Sequence, residues 1–266
     1  MYDRFNRKID YLRISVTDRC NMRCKYCMPS GGIKWLKHED ILSYEEITEI
    51  TQYLVSKGIT KVRLTGGEPL VRKDIEKLVE MLSKITGIHD LSMTTNGILL
   101  GAYADKLKSA GLNRVNISLD TLNPLTFQKI SPNGSLADVL KGIDAALKAE
   151  LTPVKINCVD STYNTHQDIQ AVKDFGAKNG FEVRVIHQMN LPGGIFTTVE
   201  GGQGGKCRSC NRLRMSSDGK LIPCLFSNLN YDIKALGIDK ALELALKNKP
   251  QKGINNQSQT FYQLGG

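Results

Sequence analysis

Along the first 190 residues of this 266-residue chain, short stretches in which apolar and polar side chains alternate are separated by longer ones with apolar residues three and four apart. The first period is that of a half-buried strand and the second that of an amphipathic helix. Strands are predicted near residues 11–17, 60–65, 90–95, 113–119, 153–159 and 182–188, and helices near 43–57, 73–86, 100–110, 135–149 and 165–179. Ser43 followed by Glu46 has the pattern of a capping box, and Gly58, Gly87, Gly111 and Gly180 stand where four helices should stop. Strands that alternate with helices predict a parallel sheet built from βα units.

The strands divide into two kinds of face. Arg13, Ser15 and Thr17 fall on one side of the first strand and Leu12, Ile14 and Val16 on the other. Lys61, Arg63 and Thr65 separate in the same way from Val62 and Leu64, Asn116 and Ser118 from Val115 and Ile117, and Lys155 and Asn157 from Val154 and Ile156. A sheet covered by helices on both sides would read as continuous apolar runs. One polar face instead predicts a lumen, and hence an α/β fold of the incomplete (β/α)6 TIM-like barrel kind, with groups bound near the C-terminal strand ends. Cys158 shares parity with Val154 and Ile156 and is expected in the core.

After residue 190 the regularity ends. Residues 191–206 form a connection with six glycines between Leu191 and Gly205, and 207–266 form a small cysteine-bearing region with a helix expected around 232–248. The composition is that of a globular protein, with 41% hydrophobic and 24% charged residues, which excludes disordered, collagenous and coiled-coil classes. No apolar run approaches the roughly 18 residues of a membrane span, and Met1 to Asp10 lacks the apolar core of a secretory signal, so a cytoplasmic protein is expected. Its 36 Lys and Arg exceed 27 Asp and Glu by nine charges, which raises the question of an anionic partner.

The seven cysteines are grouped: Cys20, Cys24 and Cys27, then Cys158 alone, then Cys207, Cys210 and Cys224. In a reducing compartment, clustered thiols point to metal or catalysis rather than to disulfides. Cys20-x3-Cys24-x2-Cys27 directly follows the first strand. Three thiolates suit an iron–sulfur cluster with one iron left open, whereas a structural zinc would take four ligands and the nearest histidine, His38, lies eleven residues beyond Cys27. Cys207-x2-Cys210-x13-Cys224 repeats the set of three, with Arg212 and Arg214 just beyond Cys210. A zinc knuckle with a borrowed ligand is the alternative there.

The CxxxCxxC loop after the first strand, with Thr65-Gly66-Gly67-Glu68-Pro69 after the second, resembles the radical S-adenosylmethionine superfamily. That resemblance implies a 4Fe–4S cluster on Cys20, Cys24 and Cys27, whose open iron binds S-adenosylmethionine and generates a 5′-deoxyadenosyl radical. The run Cys207-Arg-Ser-Cys-Asn-Arg-Leu-Arg, the later Ser-Ser-Asp-Gly-Lys and Pro-Cys-Leu-Phe-Ser, and the closing Gly265-Gly266 resemble the GTP 3′,8-cyclase family, which acts first in molybdenum cofactor biosynthesis. The resemblance implies a second 4Fe–4S cluster on Cys207, Cys210 and Cys224 and conversion of GTP to (8S)-3′,8-cyclo-7,8-dihydroguanosine 5′-triphosphate. It further implies an electron donor of flavodoxin or ferredoxin type, a downstream cyclic pyranopterin monophosphate synthase, and a homodimer as the candidate assembly.

Matched by motif, Arg13, Arg63, Thr94 and Lys155 correspond to family positions that bind GTP, and Arg212, Leu213 and Arg214 to its guanine-proximal stretch. Tyr26, Gly67, Ser118 and Met189 correspond to positions that line S-adenosylmethionine, and Gly265-Gly266 to a tail inserted into the site. The chain departs from the family between Met189 and Cys207, where seventeen residues replace a much longer segment, and at His187-Gln188, where an acidic residue is common. Two other readings compete: a peptide-modifying radical enzyme with an auxiliary cluster, and a basic zinc-binding nucleic-acid module. No nucleic-acid fold is recognisable, and the basic residues lie along strands rather than in one stripe; neither nucleic acid nor membrane is expected as a partner.

Overall fold

The computed structural model describes residues 1–28, 33, 35–257 and 261–264. Six parallel strands carry the barrel: β1 (Tyr11–Ser15), β2 (Lys61–Thr65), β3 (Asp90–Thr95), β4 (Arg114–Ser118), β5 (Lys155–Asp160) and β6 (Glu182–His187). Between them lie α1 (Tyr44–Ser56), α2 (Ile75–Ser83), α3 (Leu100–Ser109), α4 (Pro124–Ile130), α5 (Leu136–Lys148) and α6 (His166–Asn179). All but α4 fall within a few residues of the bounds expected from the hydrophobic period. The Ser43–Glu46 capping box forms, and Gly58, Gly87, Gly111 and Gly180 all have positive φ. The unexpected α4 starts where Asn123 caps the Leu125 and Thr126 amides and Pro124 opens the first turn; it is too short to show a helical period.

The C-terminal region continues the same sheet. It contains β7 (Arg212–Met215), β8 (Lys220–Ile222), β9 (Tyr231–Asp232), α7 (Ile233–Leu236), α8 (Ile238–Lys247) and α9 (Phe261–Leu264), and the strand order is β6-β5-β4-β3-β2-β1-β7-β8-β9. β7 pairs parallel with β1, while β8 and β9 return antiparallel. The single helix expected over 232–248 is corrected to two, because Gly237 at φ 75° and ψ 153° cannot sit inside a helical run.

Register sorts the side chains into cross-sheet rows. Leu213, Leu12, Val62 and Leu91 form one, and Met215, Ile14, Leu64, Met93 and Val115 the next. None is more than 2% exposed. Burial of each contributes about 1.5–3 kcal/mol. The residues of intervening parity, Arg214, Arg13, Arg63, Ser92 and Arg114, make a polar row on the opposite face. Cys158 is fully buried in the apolar core, as expected. No helix among the described residues is long and apolar enough to cross a membrane.

The helical layer is tight where α5 crosses the loop before α3. A Cβ on Gly142 would lie 2.2 Å from the Gly97 carbonyl oxygen. Gly142→Ala should lower stability by about 1–3 kcal/mol, seen as an earlier denaturation midpoint; an unchanged midpoint would show that the two elements part freely.

Candidate active site

The loop after β1 that bears Cys20, Cys24 and Cys27 is held by the turn after β2. The Gly67 and Glu68 amides donate to the Thr17 and Arg19 carbonyls, each at 2.8 Å. A Cβ on Gly67 would sit 2.2 Å from the Arg19 oxygen, so this backbone contact requires glycine. Glu68 accepts from Thr95 Oγ1 at 2.7 Å and from the Asn96 and Leu70 amides at 2.7 and 3.1 Å. Burial pushes its carboxyl up to about 7. Asn96 in turn donates through Nδ2 to Asn21 Oδ1 at 2.7 Å and approaches Cys20 Sγ at 3.9 Å, while the Met22 amide donates to Cys20 Sγ at 3.4 Å.

Cys24 Sγ lies 2.8 Å from Ser131 Oγ. Burial raises all three thiols, Cys24 to about 12, and the neighbouring Cys24 and Cys20 sulfurs raise Cys27 further. Three sulfurs so placed remain thiols unless a cationic centre holds them as thiolates. That requirement, together with amide donors already aimed at a sulfur, fits an iron–sulfur cluster.

A cavity of about 200 Å³ opens beside these cysteines. Tyr26, Gly67, Ser118 and Met189 line it, joined by Thr94, Asn96, Asp120, Asn157 and Gln188. Thr94 Oγ1 is buried without a hydrogen-bond partner among the described residues, the state of a group that a ligand would satisfy. Asp120 accepts from Tyr26 Oη and from the Val159 amide, both at 2.7 Å, and burial pushes its carboxyl up to about 6.

The lumen proper is a larger cavity of about 700 Å³. Asn157, Ile186 and Met189 line both cavities, so the two share a wall. Among the described residues of its lining, eight cations, Arg13, Lys61, Arg63, Arg114, Arg184, Lys206, Arg212 and Arg214, face two carboxylates, Asp90 and Glu182. Arg114 is tied to Asp90 at 2.6 Å, and Glu182 engages Arg184 and Lys155. Arg214, Arg13 and Arg63 stand abreast on β7, β1 and β2, about 4.8 Å apart as adjacent strands are. Burial, then mutual repulsion with neighbouring arginines, pulls Arg13 down to about 9 and Arg214 to about 10; burial does most of the same to Arg63, at about 10.

The second cysteine set opens into this same lumen, since Cys207, Cys210 and Cys224 all line it. Burial raises the Cys224 thiol. Burial also acts to raise Cys210, but Lys249, the Arg212 amide and the Arg212 and Arg7 charges outweigh it and lower that thiol. Among the described residues no three His, Cys, Asp or Glu side chains close around a single ion. The fit of the second set to a cluster rests on three half-buried thiols beside buried cations.

Arg13, Arg63, Arg212 and Arg214 thus come together in the lumen, and Tyr26, Gly67, Ser118 and Met189 in the smaller cavity. Three expected nucleotide residues sit elsewhere. Thr94 lines the smaller cavity, Leu213 has the opposite parity and is buried in the core, and Lys155 pairs with Glu182 across β5 and β6. Gly265 and Gly266 lie outside the described residues. Sequence reasoning passed over Arg184, Arg114 and Asp120. Alternation of Glu182, Arg184 and Ile186 carried the signal for Arg184, whereas Asp120 lies past its strand, where parity gives no guide.

Residues 14–176 match the model of the radical SAM superfamily. The GTP 3′,8-cyclase of Aliarcobacter butzleri (strain RM4018) is 38% identical across 323 aligned positions that take in all of both chains, so it carries residues that this 266-residue chain lacks. The GTP 3′,8-cyclase of Thermodesulfovibrio yellowstonii (strain ATCC 51303 / DSM 11347 / YP87) is 42% identical over 282 positions, covering 89% of this chain and 88% of that one. The crystal structure of Streptococcus suis SuiB bound to S-adenosylmethionine superposes with a TM-score of 0.71 at 14% identity, over 91% of this chain and 66% of that one, a likeness of fold. A partial barrel with a three-cysteine loop after its first strand, matched by that model, places the chain in the radical S-adenosylmethionine superfamily. Within it, the chain belongs to the GTP 3′,8-cyclase family.

Two measurements on metal-free protein test this geometry. The Asp120 carboxyl is raised from 3.8 to about 6, so the fold binds the extra proton and loses stability as pH rises from about 4 through 6. Asp120→Asn should match the parent at pH 4 and exceed it at pH 8 by on the order of 3 kcal/mol; equal stability at both values would contradict the assignment. Inorganic tripolyphosphate should raise the melting midpoint, through a stabilisation of about 2.7 kcal/mol at a hundredfold excess over its dissociation constant. Arg63→Met should melt higher than the parent without ligand and respond less with it; a parental response would remove Arg63 from the anion site.

Proposed function

We propose that this chain cyclises GTP between two iron–sulfur sites, with the triphosphate on the row Arg214, Arg13 and Arg63 and the guanine toward Cys207, Cys210 and Cys224. The row itself is the observation that carries the reading. Like charges directly opposite on neighbouring strands are destabilising, and an anion with several oxygens, set against fixed guanidinium forks, reverses the sign of that repulsion.

Membership of the superfamily brings a 4Fe–4S cluster, for which Cys20, Cys24 and Cys27 are the ligands, and S-adenosylmethionine, for which the smaller cavity is the site. When bound together they supply one-electron chemistry able to remove a ribose hydrogen. The chain's own residues do the positioning. Tyr26, Ser118 and Thr94 offer hydroxyls to one ligand, the arginines fix the phosphate end of the other, and the shared wall of Asn157, Ile186 and Met189 brings their reacting ends together. Arg212 lines the lumen at the edge of β7 beside the second cysteine set, which supports its assignment to the purine. Cyclisation of GTP is the first step of molybdenum cofactor biosynthesis. An electron donor of flavodoxin or ferredoxin type and a downstream cyclic pyranopterin monophosphate synthase complete the reading.

The test is reconstituted protein with reductant, S-adenosylmethionine and GTP. Cyclised nucleotide and 5′-deoxyadenosine should appear together, and Cys24→Ala should form neither. Release of 5′-deoxyadenosine at the same rate with and without GTP, and no cyclised product, would reject the substrate and leave the superfamily chemistry standing.

A further inference from the structure

Lys249 is 2% exposed, although lysine is among the residues least often buried. Its ammonium donates to the Arg212 carbonyl at 2.7 Å and to the Pro223 carbonyl. Those two carbonyls belong to the segments that bear the second cysteine set, two residues past Cys210 and one before Cys224. No carboxylate pairs with Lys249 among the described residues; Asp3, the acid in its surroundings, is already held by Arg7 at 2.6 Å. Cys210 and Cys224, on those same two segments, are the remaining groups in its surroundings that can carry negative charge. An ammonium has three donors, and two neutral carbonyls leave one over. A buried charge without a counter-charge is costly, so the site is built for negative sulfur. Around it the chain is closed: Arg7 donates to the carbonyls of Cys207, Pro250 and Gln251, and a Cβ on Gly253 would lie 3.2 Å from Cys224 Sγ.

We propose that Lys249 is the resident counter-cation of the second site, a positioning residue that ties the segment after Cys210 to the one before Cys224 and sets the reduction potential of the cluster they hold. This rests on the reading of Cys207, Cys210 and Cys224 as cluster ligands. A fixed positive charge beside the sulfurs favours the more negative, reduced form; removing it makes reduction harder.

The experiment is a redox titration of the reconstituted holoenzyme, followed by the paramagnetic signal of the second cluster, with iron and sulfide analysis. Lys249→Gln keeps a donor for the carbonyls and drops the charge, whereas Lys249→Arg keeps the charge. The glutamine variant should show about a tenfold lower ratio of reduced to oxidised second cluster at a given potential, equivalent to a midpoint lower by about 59 mV for one electron. The arginine variant should stay within about a factor of two of the parent, and the first cluster, whose signal reports an intact fold, should not move in either. Loss of half the iron from the glutamine variant alone would also support the counter-charge. Loss from both variants, an equal shift in both, or a glutamine variant that titrates with the parent would overturn it. If the parent itself binds a single cluster, the two-cluster reading fails, and that is seen before any variant is made.

Discussion

The structure is organised around repulsion. Three guanidinium groups are held side by side in a low-dielectric lumen, and β-sheet register leaves them nowhere to go. On the lumen face Arg63 donates to Ser92 Oγ and Arg214 to the Leu264 carbonyl; the larger support lies on the other face of the same strands, where Leu213, Leu12 and Val62, and then Met215, Ile14 and Leu64, are buried under helices. The apolar rows supply the stability, and the polar row spends part of it on pre-aligned charge. Active sites commonly hold strain of this kind, maintained by a scaffold that over-determines it.

The two cavities divide the chemistry as the sheet divides its faces. One is small, lined by hydroxyls, amides and the buried carboxyls of Glu68 and Asp120 beside the first cysteine loop; the other is larger and cationic. Their common wall at Asn157, Ile186 and Met189 comes from β5 and from β6 and the turn just after it, the strands farthest from the cysteine loop in the sheet. Curvature of the sheet therefore creates the meeting point, and a flat sheet with the same residues would keep the two ligands apart.

Much of this is legible in the sequence, for a definite reason. Period-two alternation fixes which residues share a face, so parity alone assigns Arg13, Arg63 and Ser118 to the polar side, and the spacing of each cysteine set marks two candidate metal-binding loops. What escapes is what alternation cannot encode. β7 is only four residues long and arginine-rich, so its partnership with β1 depends on a pairing some 200 residues distant. Lys155 has the right parity, yet its neighbour Glu182 captures it, a matter of cross-strand register. Leu213 lies between two lumen arginines and is for that reason in the core.

The pairing of β7 with β1 also orders events during synthesis. The first cysteine loop and its supports, Glu68, Asn96, Asp120 and Ser131, all belong to the first half of the chain, so their contacts are available once residue 131 has emerged. The second site needs Arg7, Cys207, Cys224 and Lys249 at once, so it closes only after residue 249 has left the ribosome. Contacts of such high order form late, which leaves the β7-facing edge of β1 unpaired in the growing chain, open to misassociation before the chain is complete.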